Sequence, residues 1–416
     1  MRIGFFVWEY PPRIVGGLGT YAQNIAREYI EMGHDICLFT INPGDLPTRE
    51  VLQGVEVHRP LLVNTSNVFP LFVREDLRRW GTHLSFFGDV FMYNILSVSK
   101  LTNQLIKQEK YDFDLICVHD WLSGMAGIGL KDSTELPCTF HVHSSEWGRA
   151  LGQGSEIITS LEETTQRIVD QVITVSYPME EDLVRHGWDT QKIHVCWNGV
   201  DPDRYNMENI KKKDINDLRK KYGITKKEKM IFFVGRLTGV KGVTNLVQAM
   251  PSVLSENPNV KLVILGSGEL DHIVTDMINH LGIEKNVKTC FEFVSEEERI
   301  LHYAACDIAV FPSLYEPFGI VSLEAMSMGK PIVVGASGVS GFRDQVIPSG
   351  PDKTGIHVDG RKYMDIAWGI NSILEDDDEA EAMGERARKR VEDVFTWKSA
   401  AKRTMDVYKE IINKSE

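Results

Sequence analysis

Phe311-Pro-Ser-Leu-Tyr-Glu-Pro-Phe-Gly-Ile-Val-Ser-Leu-Glu-Ala-Met326 is the most informative segment of this chain, because it predicts a strand, a loop and a helix in immediate succession. The apolar run from Ile308 to Phe311 predicts a buried strand, which the turn residues Pro-Ser-Leu-Tyr-Glu-Pro then interrupt. Gly319 follows the turn, and from Ile320 the pattern shows the spacings of three and four that are typical of a helix. Such a corner is where an open parallel sheet presents its ligands to a helix N-terminus.

Two carboxylates lie eight residues apart in this segment, Glu316 in the loop and Glu324 two turns into the helix. One of them can face a ligand at the helix N-terminus while the other reaches back along the same side. Taken alone, such a pair is more simply a solvated loop residue and a helix residue with its own partner. The Phe-Gly between the two carboxylates and the motifs elsewhere in the chain favour a functional interpretation.

Glu316-Pro-Phe-Gly, followed by Glu324-Ala-Met, resembles the E-x-F-G-x-x-x-x-E motif of the retaining, nucleotide-sugar-dependent glycosyltransferases of family 4. That family includes archaeal glycogen synthases, sucrose synthases and lipid-sugar transferases. The resemblance implies that Glu316 binds the hydroxyls of the donor sugar and that Glu324 binds the ribose of the nucleotide. It also implies that neighbouring residues take part in donor binding, namely Phe318, Gly319, Ile320 and Val321.

A second motif, Gly235-Arg236-Leu-Thr-Gly-Val-Lys241-Gly242, follows a predicted strand and places two cations five residues apart at a helix start. A departing diphosphate needs cations and oriented N–H groups that are in place before the C1–O bond breaks. Arginine suits two phosphate oxygens at once, whereas lysine acts as a point charge. The segment resembles the G-R-x-x-x-x-K-G motif of the same family, which implies that Arg236 and Lys241 bind the donor diphosphate. The alternative is a turn with two exposed cations.

Gly16-Gly17 follows the first predicted strand, where glycine lets backbone N–H groups approach a phosphate closely. A simple tight turn is an equally good interpretation of these two residues alone. The pair resembles a Gly-Gly motif of family 4 and of glycogen synthases, which implies a contact with the donor phosphate.

His119-Asp120-Trp121 lies at the end of a predicted strand and resembles the H-D-W motif of glycogen and starch synthases. The resemblance implies that Asp120 contributes to the pocket for the donor sugar and the acceptor. His143 ends the next strand and aligns with the active-site histidine of the family. His141 is more simply a core histidine with its own hydrogen-bond partners.

Two Asp-x-Asp pairs match a motif that binds a divalent metal in other glycosyltransferases, Asp112-Phe-Asp114 and Asp201-Pro-Asp203. The first pair precedes a buried strand, at the edge of the sheet away from ligands, and the second lies in a linker. We interpret both as structural and expect neither a catalytic metal nor another cofactor, because Arg236 and Lys241 supply the positive charge.

Length and composition limit the class of protein. A chain of 416 residues is too long for one core, so two domains of about 200 residues each are expected. The contents of 43% hydrophobic and 25% charged residues are ordinary for a soluble protein, and the net charge of −13 argues against nonspecific nucleic-acid binding. No apolar run reaches the length of a membrane span, and Met1 to Val7 predicts a strand rather than a signal peptide. We therefore expect a cytoplasmic protein.

The six cysteines are scattered through apolar segments and form no C-x-x-C pair. Free thiols in a reducing compartment are therefore expected, rather than disulfides or a zinc site.

Strands and helices alternate through two halves of similar size, which predicts an α/β protein. The resemblance implies two facing Rossmann-like domains (the GT-B fold) with an interdomain cleft, at residues 1–197 and 198–396. A last helix in residues 397–416 is expected to cross back to the first domain. Residues 60–95 predict irregular helices and loops, and residues 144–160 predict a mobile loop.

The resemblance implies a retaining transferase that moves a hexose, with glucose favoured, from UDP- or ADP-glucose to the hydroxyl of an acceptor. An α-glucan acceptor is favoured, as in glycogen synthases, and retention implies front-face attack with the leaving phosphate taking the acceptor proton. A small-molecule or lipid acceptor, a sugar-nucleotide epimerase and a glycan phosphorylase are the alternatives. A homo-oligomer is compatible with the sequence.

Overall fold

The computed structural model describes residues 1–65, 68–73 and 83–415. The chain divides into two compact units, each with one sheet. The first unit consists of Met1–Thr174, Leu183–Cys196 and Ala400–Glu416, and the second of Val175–Asp182 and Trp197–Ser399.

The sheet of the first unit has eight strands. These strands are β1 (Arg2–Phe6), β2 (Asp35–Phe39), β3 (Arg49–Leu52), β4 (Val55–His58), β5 (Leu115–His119), β6 (Cys138–Val142), β7 (Gln171–Thr174) and β8 (Ile193–Val195). Their order is β3-β4-β2-β1-β5-β6-β7-β8, and every pair is parallel except β3 with β4. Among the described residues up to 196, the α-helices are α1 (Gly17–Glu31), α2 (Phe69–Phe72), α3 (His83–Ser99), α4 (Asp120–Ser133), α5 (Glu146–Arg149), α6 (Glu156–Ile168) and α7 (Tyr177–Arg185).

The sheet of the second unit has six strands, all parallel. They are β9 (Lys229–Val234), β10 (Val260–Leu265), β11 (Val287–Cys290), β12 (Ile308–Phe311), β13 (Ile332–Gly335) and β14 (Gly355–Val358), in the order β11-β10-β9-β12-β13-β14. The remaining α-helices are α8 (Lys212–Lys221), α9 (Val243–Glu256), α10 (Asp271–Leu281), α11 (Glu296–Ala305), α12 (Ile320–Ser327), α13 (Phe342–Gln345), α14 (Tyr363–Leu374), α15 (Asp377–Val394) and α16 (Trp397–Ser415).

The four inner strands of the second sheet, β9, β10, β12 and β13, are buried on both faces, whereas the edge strand β11 has an exposed residue, Thr289. Phe232 and Phe311 belong to one hydrophobic core, whereas Ile231, Phe233 and Val310 belong to a second one. Successive side chains of a strand point to opposite faces, so adjacent residues divide between the two cores. Because both of their faces are covered, these inner strands are largely apolar, and this is why they could be recognised from the sequence.

The prediction of two α/β domains is confirmed, whereas the short hairpin of β3 and β4 was missed. Its turn residues, Gln53 and Gly54, have φ angles of +53° and +87°, as in a tight two-residue hairpin turn. Glutamine before glycine is a weaker turn signal than asparagine or aspartate, and four-residue strands show little periodicity.

The prediction of irregular helices and loops over residues 60–95 is confirmed at residues 60–65 and 68–73, a loop and the four-residue helix α2, but it was wrong from His83 onward. Residues 66–67 and 74–82 lie outside the described residues, but α3 is a regular helix of 17 residues that continues into a π-helical segment at Lys100–Ile106. Val90 and Tyr93 are fully buried, yet Phe86, Phe91 and Ile95 are exposed. Apolar residues on both faces hide the amphipathic period by which a helix is recognised.

The segment over residues 144–160, predicted to be a loop, is partly helical. Ser145 and Ser155 cap the N-termini of α5 and α6, because their hydroxyls accept hydrogen bonds from the N–H groups of Gly148 and Ile158 at 3.2 and 3.5 Å. A serine before each helix was the sequence signal for a helix start, but three nearby glycines favoured the prediction of a loop.

The last helix, α16, begins in the second unit, and its residues from Ala400 onward belong to the first. Tyr408 fixes it there through a 2.7 Å hydrogen bond between its hydroxyl and His141 Nε2. Among the described helices, none has both the length and the apolar character needed to cross a bilayer.

Candidate active site

In the second unit, the loop after β9 contacts the loop after β12. Gly242 makes this approach possible, since it has a φ angle of +68° and a Cβ at this position would overlap the carbonyl oxygen of Pro312. The N–H of Leu314 donates to the carbonyl of Val240 at 2.7 Å, which ties the two loops together. The two motifs of this unit therefore meet at the carboxyl ends of adjacent parallel strands, the usual ligand edge of such a sheet.

Lys241 and Glu316 form an ion pair across these two loops, with 2.6 Å between Nζ and Oε2. The hydroxyl of Ser313 also donates to Glu316 Oε2, at 3.0 Å. Glu316 is 7% exposed, whereas 27% of the Lys241 side chain is accessible. The predicted sugar-binding carboxylate and the predicted phosphate-binding cation therefore lie within direct contact.

Arg236 occupies the start of the same glycine-rich loop and is exposed. None of the described residues forms an ion pair or side-chain hydrogen bond with its guanidinium. The loop backbone is nevertheless held, because the N–H of Leu237 donates to the carbonyl of Ser267 at 3.1 Å. Arg236 is thus a free cation on an ordered loop, and the structure does not bring it into contact with Lys241 or Glu316.

Gly319 joins the Glu316 loop to helix α12. Its φ angle is +87°, and a Cβ here would overlap the ring of Phe342 and lie 2.9 Å from Glu316 Cγ. Phe318 is buried in the core, while Ile320 and Val321 are half-buried in the first turn of α12. The first N–H groups of a helix lack intrahelical partners, so this turn can receive an anion beside Glu316.

The backbone of Glu316 is fixed on its other side by residues 339–341. Its N–H donates to the carbonyl of Val339 at 3.0 Å, and its carbonyl accepts from the N–H of Gly341 at 2.8 Å. The carboxylate is therefore presented from a rigid loop, which the sequence alone did not indicate.

Glu324 lies deeper in the second unit, 4% exposed, and its carboxylate is held by three side chains that the sequence analysis missed. The hydroxyl of Tyr205 and Arg299 Nη2 donate to Oε1 at 2.8 and 3.0 Å, and the hydroxyl of Tyr303 donates to Oε2 at 2.8 Å. Arg299 and Tyr303 come four residues apart on α11, which places them on one helix face. Arg299 and Tyr303 lie among the apolar residues of α11, and these polar groups were the sequence signal for a buried partner such as Glu324.

In the first unit, Gly16 caps α1 and Gly17 is its first residue. The N–H groups of Val15 and Gly16 both donate to Glu9 Oε2, at 3.0 Å each. Neither glycine has a positive φ, and a Cβ at either position would meet nothing within 4 Å. The chain's own packing therefore does not require glycine here, and the phosphate contact stays a prediction.

Asp120 begins α4 with a φ angle of +53°, directly after β5. Its Oδ1 accepts hydrogen bonds from the N–H groups of His143 and Ser144 at 2.7 and 3.3 Å, so the structure brings Asp120 and His143 together. Burial lowers the pKa of His143, an effect that the charge of Asp120 opposes. The Nε2 of His143 is buried without a hydrogen-bond partner in the described part of the chain.

His141 is a core histidine, as predicted, with its ring nitrogens next to the hydroxyls of Tyr21 and Tyr408 at 3.4 and 2.7 Å. His119, directly opposite on β5, stacks on it with ring centroids 4.4 Å apart. The Nδ1 of His119 contacts the carbonyl of Phe6 at 2.9 Å.

A buried acidic residue, Glu162, was also missed. Its oxygens accept the N–H of Glu146 at 3.0 and 3.1 Å, and Arg149 Nη2 lies 3.5 Å away. Burial raises the pKa of Glu162 to about 8, an effect that the positive charge of Arg149 opposes. The same guanidinium donates to the carbonyl of Ser144 at 3.1 Å and so fixes the segment that follows His143.

One aspartate of each Asp-x-Asp pair accepts hydrogen bonds from the chain's own backbone. Asp114 accepts the N–H of Arg2 at 2.7 Å, and Asp201 accepts the N–H groups of Asp203 and Arg204 at 3.1 Å each. All six cysteines are free, as predicted. Two groups in the described part of the chain nevertheless have the donor types of a metal site, with ligand atoms within 4.8 Å of one another: the buried Cys117, His119 and His141, and Cys37, Glu56 and His58, of which Glu56 is half-buried. The expectation of no metal therefore stays a prediction.

Comparison with known families divides the chain in two. Residues 15–204 match the family described as Glycosyltransferase Family 4, and residues 214–390 match Glycosyl transferases group 1. An uncharacterised glycosyltransferase of Methanocaldococcus jannaschii is 34% identical over 415 residues, which is 98% of either chain. The glycogen synthase of Mycobacterium tuberculosis is 28% identical, over 98% of this chain and 94% of the relative. The D-inositol 3-phosphate glycosyltransferase of Corynebacterium jeikeium is 29% identical, over 95% and 92%.

Solved structures share the fold. The sucrose-phosphate synthase of Thermosynechococcus elongatus superposes with a TM-score of 0.77 at 22% identity, over 99% of both chains. The catalytic domain of starch synthase IV from Arabidopsis thaliana, solved with ADP and acarbose, gives a TM-score of 0.74 at 17% identity, also over 99% of both chains. At these identities the likeness establishes the fold of two parallel-sheet domains, GT-B.

Proposed function

Because the chain belongs to the group 1 glycosyltransferases of family 4, we propose that it moves a hexose, glucose in the first instance, from a nucleoside diphosphate sugar to a hydroxyl of an α-glucan with retention of configuration. The observation that carries this proposal is the contact between Lys241 and Glu316 beside the N-terminus of α12. It puts a cation, a carboxylate and free helix N–H groups at one point, as a sugar joined to a diphosphate requires.

The residues of the second unit bind the donor in this proposal. Lys241 and Arg236 hold the diphosphate, and the first turn of α12 adds N–H donors. Glu316 accepts hydrogen bonds from the sugar hydroxyls. The ammonium of Lys241 has three N–H groups, so it can keep one on Glu316 and still direct the others to phosphate.

The chemical step needs no protein nucleophile. The acceptor oxygen attacks C1 from the face that the diphosphate leaves, the C1–O bond to the phosphate breaks, and the departing phosphate oxygen takes the acceptor proton. The cations of the second unit stabilise the charge that develops on that oxygen. The proposal includes no metal ion, since Arg236 and Lys241 supply positive charge at the diphosphate.

Asp120 and His143 of the first unit are proposed to act on the sugar and the acceptor. The buried, unpartnered Nε2 of His143 supports this role, and so does the hydrogen bond by which Asp120 orients the His143 backbone. We also propose that Gly16 and Gly17 present N–H groups to the phosphate. The hydrogen bond from the Gly16 N–H to Glu9 Oε2 would then have to break, so that the N–H can donate to the phosphate.

The acceptor is the least constrained part of the proposal. An α-glucan is supported by the likeness to a glycogen synthase and by His119-Asp120-Trp121. A small phosphorylated polyol is the second candidate, and the equally similar D-inositol 3-phosphate glycosyltransferase supports it.

The test is a matrix of UDP-, ADP- and GDP-glucose against glycogen, maltotetraose, D-inositol 3-phosphate and no acceptor, with nucleotide release as the readout. We expect one donor to react with a glucan, and NMR of the product should show an α-linkage. Release that requires the inositol phosphate would select the second candidate. Reaction of the donor alone to an epimeric sugar, or no release in any combination, would refute glucan transfer.

Two variants and two controls connect turnover to the site. Lys241→Ala and Glu316→Gln should each reduce transfer roughly 100-fold or more while the fold is retained. Lys229→Ala is the matched control, because it removes another ion pair of the same unit, with Asp377 at 2.8 Å, at the opposite end of β9. Dialysis against EDTA should leave the rate unchanged, and a loss of activity that Mg²⁺ or Mn²⁺ restores would contradict the metal-free proposal.

A further inference from the structure

The first unit contains a cluster of one thiol and two imidazoles that the proposed function does not use. Cys117 and His119 lie two residues apart on β5, and His141 lies directly opposite His119 on β6. Side chains two residues apart on a strand point to the same face of the sheet, and so do those of directly paired residues. Strand pairing therefore gathers these three side chains, each of which is at most 1% exposed.

A hydrogen bond fixes which nitrogen of His119 is the acceptor. Burial lowers the pKa of His119, so its ring is neutral and carries one hydrogen. That hydrogen is on Nδ1, because Nδ1 lies 2.9 Å from the carbonyl oxygen of Phe6, which can only accept. Nε2 is then a lone pair, and it is buried without a hydrogen-bond partner among the described residues. Where the protein leaves a buried polar atom unpaired, an ion or a water molecule can serve as its partner.

Tyrosine hydroxyls lie next to the other two members of the cluster. The ring nitrogens of His141 are 3.4 Å from the Tyr21 hydroxyl and 2.7 Å from the Tyr408 hydroxyl. A phenol oxygen accepts as well as donates, so whichever nitrogen binds an ion, the other can give its hydrogen to a phenol. The Tyr408 hydroxyl also forms a hydrogen bond with Cys117, and such a bond favours the thiolate form. Histidines that bind metals are oriented in this way, by a partner for the second N–H.

The three ligand atoms are close enough to bind one ion. They lie within 4.8 Å of one another, so one point lies no more than about 2.8 Å (4.8/√3) from all three. Zinc binds nitrogen at about 2.0–2.1 Å and thiolate sulfur at about 2.3 Å, so each atom has to move inward by at most about 0.8 Å. The rings of His119 and His141 stack with their planes 30° apart, and one ring must turn to direct its lone pair at the ion.

We propose that Cys117, His119 and His141 form a binding site for Zn²⁺, with a fourth position left for water. One thiolate and two imidazoles suit Zn²⁺ and its analogue Co²⁺, whereas Mg²⁺ and Ca²⁺ prefer oxygen ligands. Burial raises the pKa of the Cys117 thiol, so the thiol keeps its proton until the ion displaces it, and binding releases that proton to solvent. The ion has no part in the proposed transfer step, so this inference does not depend on the proposed function.

The other cluster of the same unit, Cys37, Glu56 and His58, is a poorer site for a cation. The carboxylate of Glu56 is already paired with the guanidinium of Arg49, at 2.6 Å. A metal ion would have to displace that guanidinium or lie beside it, and two like charges at close range repel. Cys37 therefore provides a control for Cys117.

A bound ion would cross-link β5 and β6 immediately before two residues of the candidate site. Asp120 follows His119 in the chain, and His143 comes two residues after His141. The ligands come together only when the strands pair, so the ion binds the folded chain more tightly than the unfolded one. Zn²⁺ should therefore stabilise the first unit.

The test uses Co²⁺ as the probe and the full chain, which is reduced, stripped of metal with EDTA and then dialysed. Because the cluster is fully buried, Co²⁺ is added both to the folded chain, with overnight equilibration, and during refolding from urea. We expect one Co²⁺ per chain, an absorption band from charge transfer between sulfur and cobalt, and loss of that band when Zn²⁺ is added. If neither route gives the band, the inference is wrong.

Two variants locate the ion. Cys117→Ser should abolish the sulfur-to-cobalt band. His119→Asn should weaken Co²⁺ binding at least roughly 100-fold, because asparagine keeps an N–H for the Phe6 carbonyl but lacks the ligand nitrogen. Cys37→Ser and Cys138→Ser are the matched controls, since each removes another buried thiol of the same unit, and both should keep the band. A band that survives Cys117→Ser, or one that Cys37→Ser removes, would overturn the assignment.

Urea unfolding gives a readout that does not depend on the band. Zn²⁺ should raise the unfolding midpoint of the parent and of Cys138→Ser but leave that of Cys117→Ser unchanged. Circular dichroism establishes first that each variant folds, and His119→Asn replaces Cys117→Ser in both assays if the serine variant does not. An equal effect of Zn²⁺ on the parent and on the variant that lacks a ligand would refute the site.

Discussion

Gly319→Ala is the substitution whose cost the structure defines most closely. The glycine joins the Glu316 loop to α12 with a φ angle of +87°, a conformation that costs a residue with a Cβ about 1–2 kcal/mol. The new methyl group would also overlap the Phe342 ring and lie 2.9 Å from Glu316 Cγ, and overpacking of this kind costs about 1–3 kcal/mol. Together these effects predict a loss of about 3 kcal/mol in the free energy of unfolding.

Gly282→Ala separates the two costs. Gly282 ends α10 with a φ angle of +67°, but a Cβ there would meet nothing within 4 Å. This control should lose only about 1 kcal/mol, from backbone strain alone. Urea unfolding, followed by tryptophan fluorescence, measures both values.

The overlap at Gly319 also predicts a kinetic effect. Relief of the contacts with Phe342 and Glu316 must shift the first turn of α12 or the carboxylate, and a displacement of about 1 Å in such a site can reduce kcat roughly 100-fold. Gly282→Ala should keep kcat unchanged. If the two variants were equally stable and equally active, the argument that Gly319 positions Glu316 would be refuted.

Three further substitutions test other parts of the site. Lys241→Met should reduce kcat/KM for the donor roughly 10²–10³-fold, because a preorganised cation at the departing diphosphate is lost. An unchanged kcat/KM, measured over a range of donor concentrations, would contradict this role. Between pH 4.5 and about 8, the free energy of unfolding should fall as pH rises, since the raised pKa of Glu162 lets the folded chain bind a proton that the unfolded chain has released. Glu162→Gln should flatten that slope in urea titrations at pH 5 and pH 8, and a slope equal to that of the parent protein would exclude Glu162 as its source. Asp120→Asn keeps an oxygen acceptor and tolerates the positive φ but removes the charge that supports a protonated His143, so the His143 pKa should fall further in an NMR titration, and a rise would contradict the assignment.

Much of the fold followed from local patterns. The inner strands of the second unit, β9, β10, β12 and β13, are buried on both faces and are therefore largely apolar, and turns rich in glycine and proline bound them. The segment from Ile308 to Ser327 forms the predicted strand, loop and helix. Helix α3 escaped prediction for the opposite reason, because its exposed residues are as apolar as its buried ones.

The side-chain partners at the site followed from strand order, which no local pattern contains. Strand β9 lies between β10 and β12 in the sheet, although β11 comes before β12 in the sequence. The pairing of β9 with β12 places the loops after these two strands side by side. Lys241 thereby meets Glu316, which is 75 residues further along the chain.

Residue types and their spacing in the chain were sufficient to predict the two α/β domains and the motifs that bear charge, because burial and turn conformation are short-range properties. Only the tertiary structure shows the three hydrogen bonds that hold the carboxylate of Glu324. It also shows that a Cβ at position 16 or 17 would meet no neighbouring atom, so packing does not require glycine there. Hydrogen bonds to Glu324 come from Tyr205, 119 residues earlier, and from α11, and such long-range contacts depend on how the sheet is assembled.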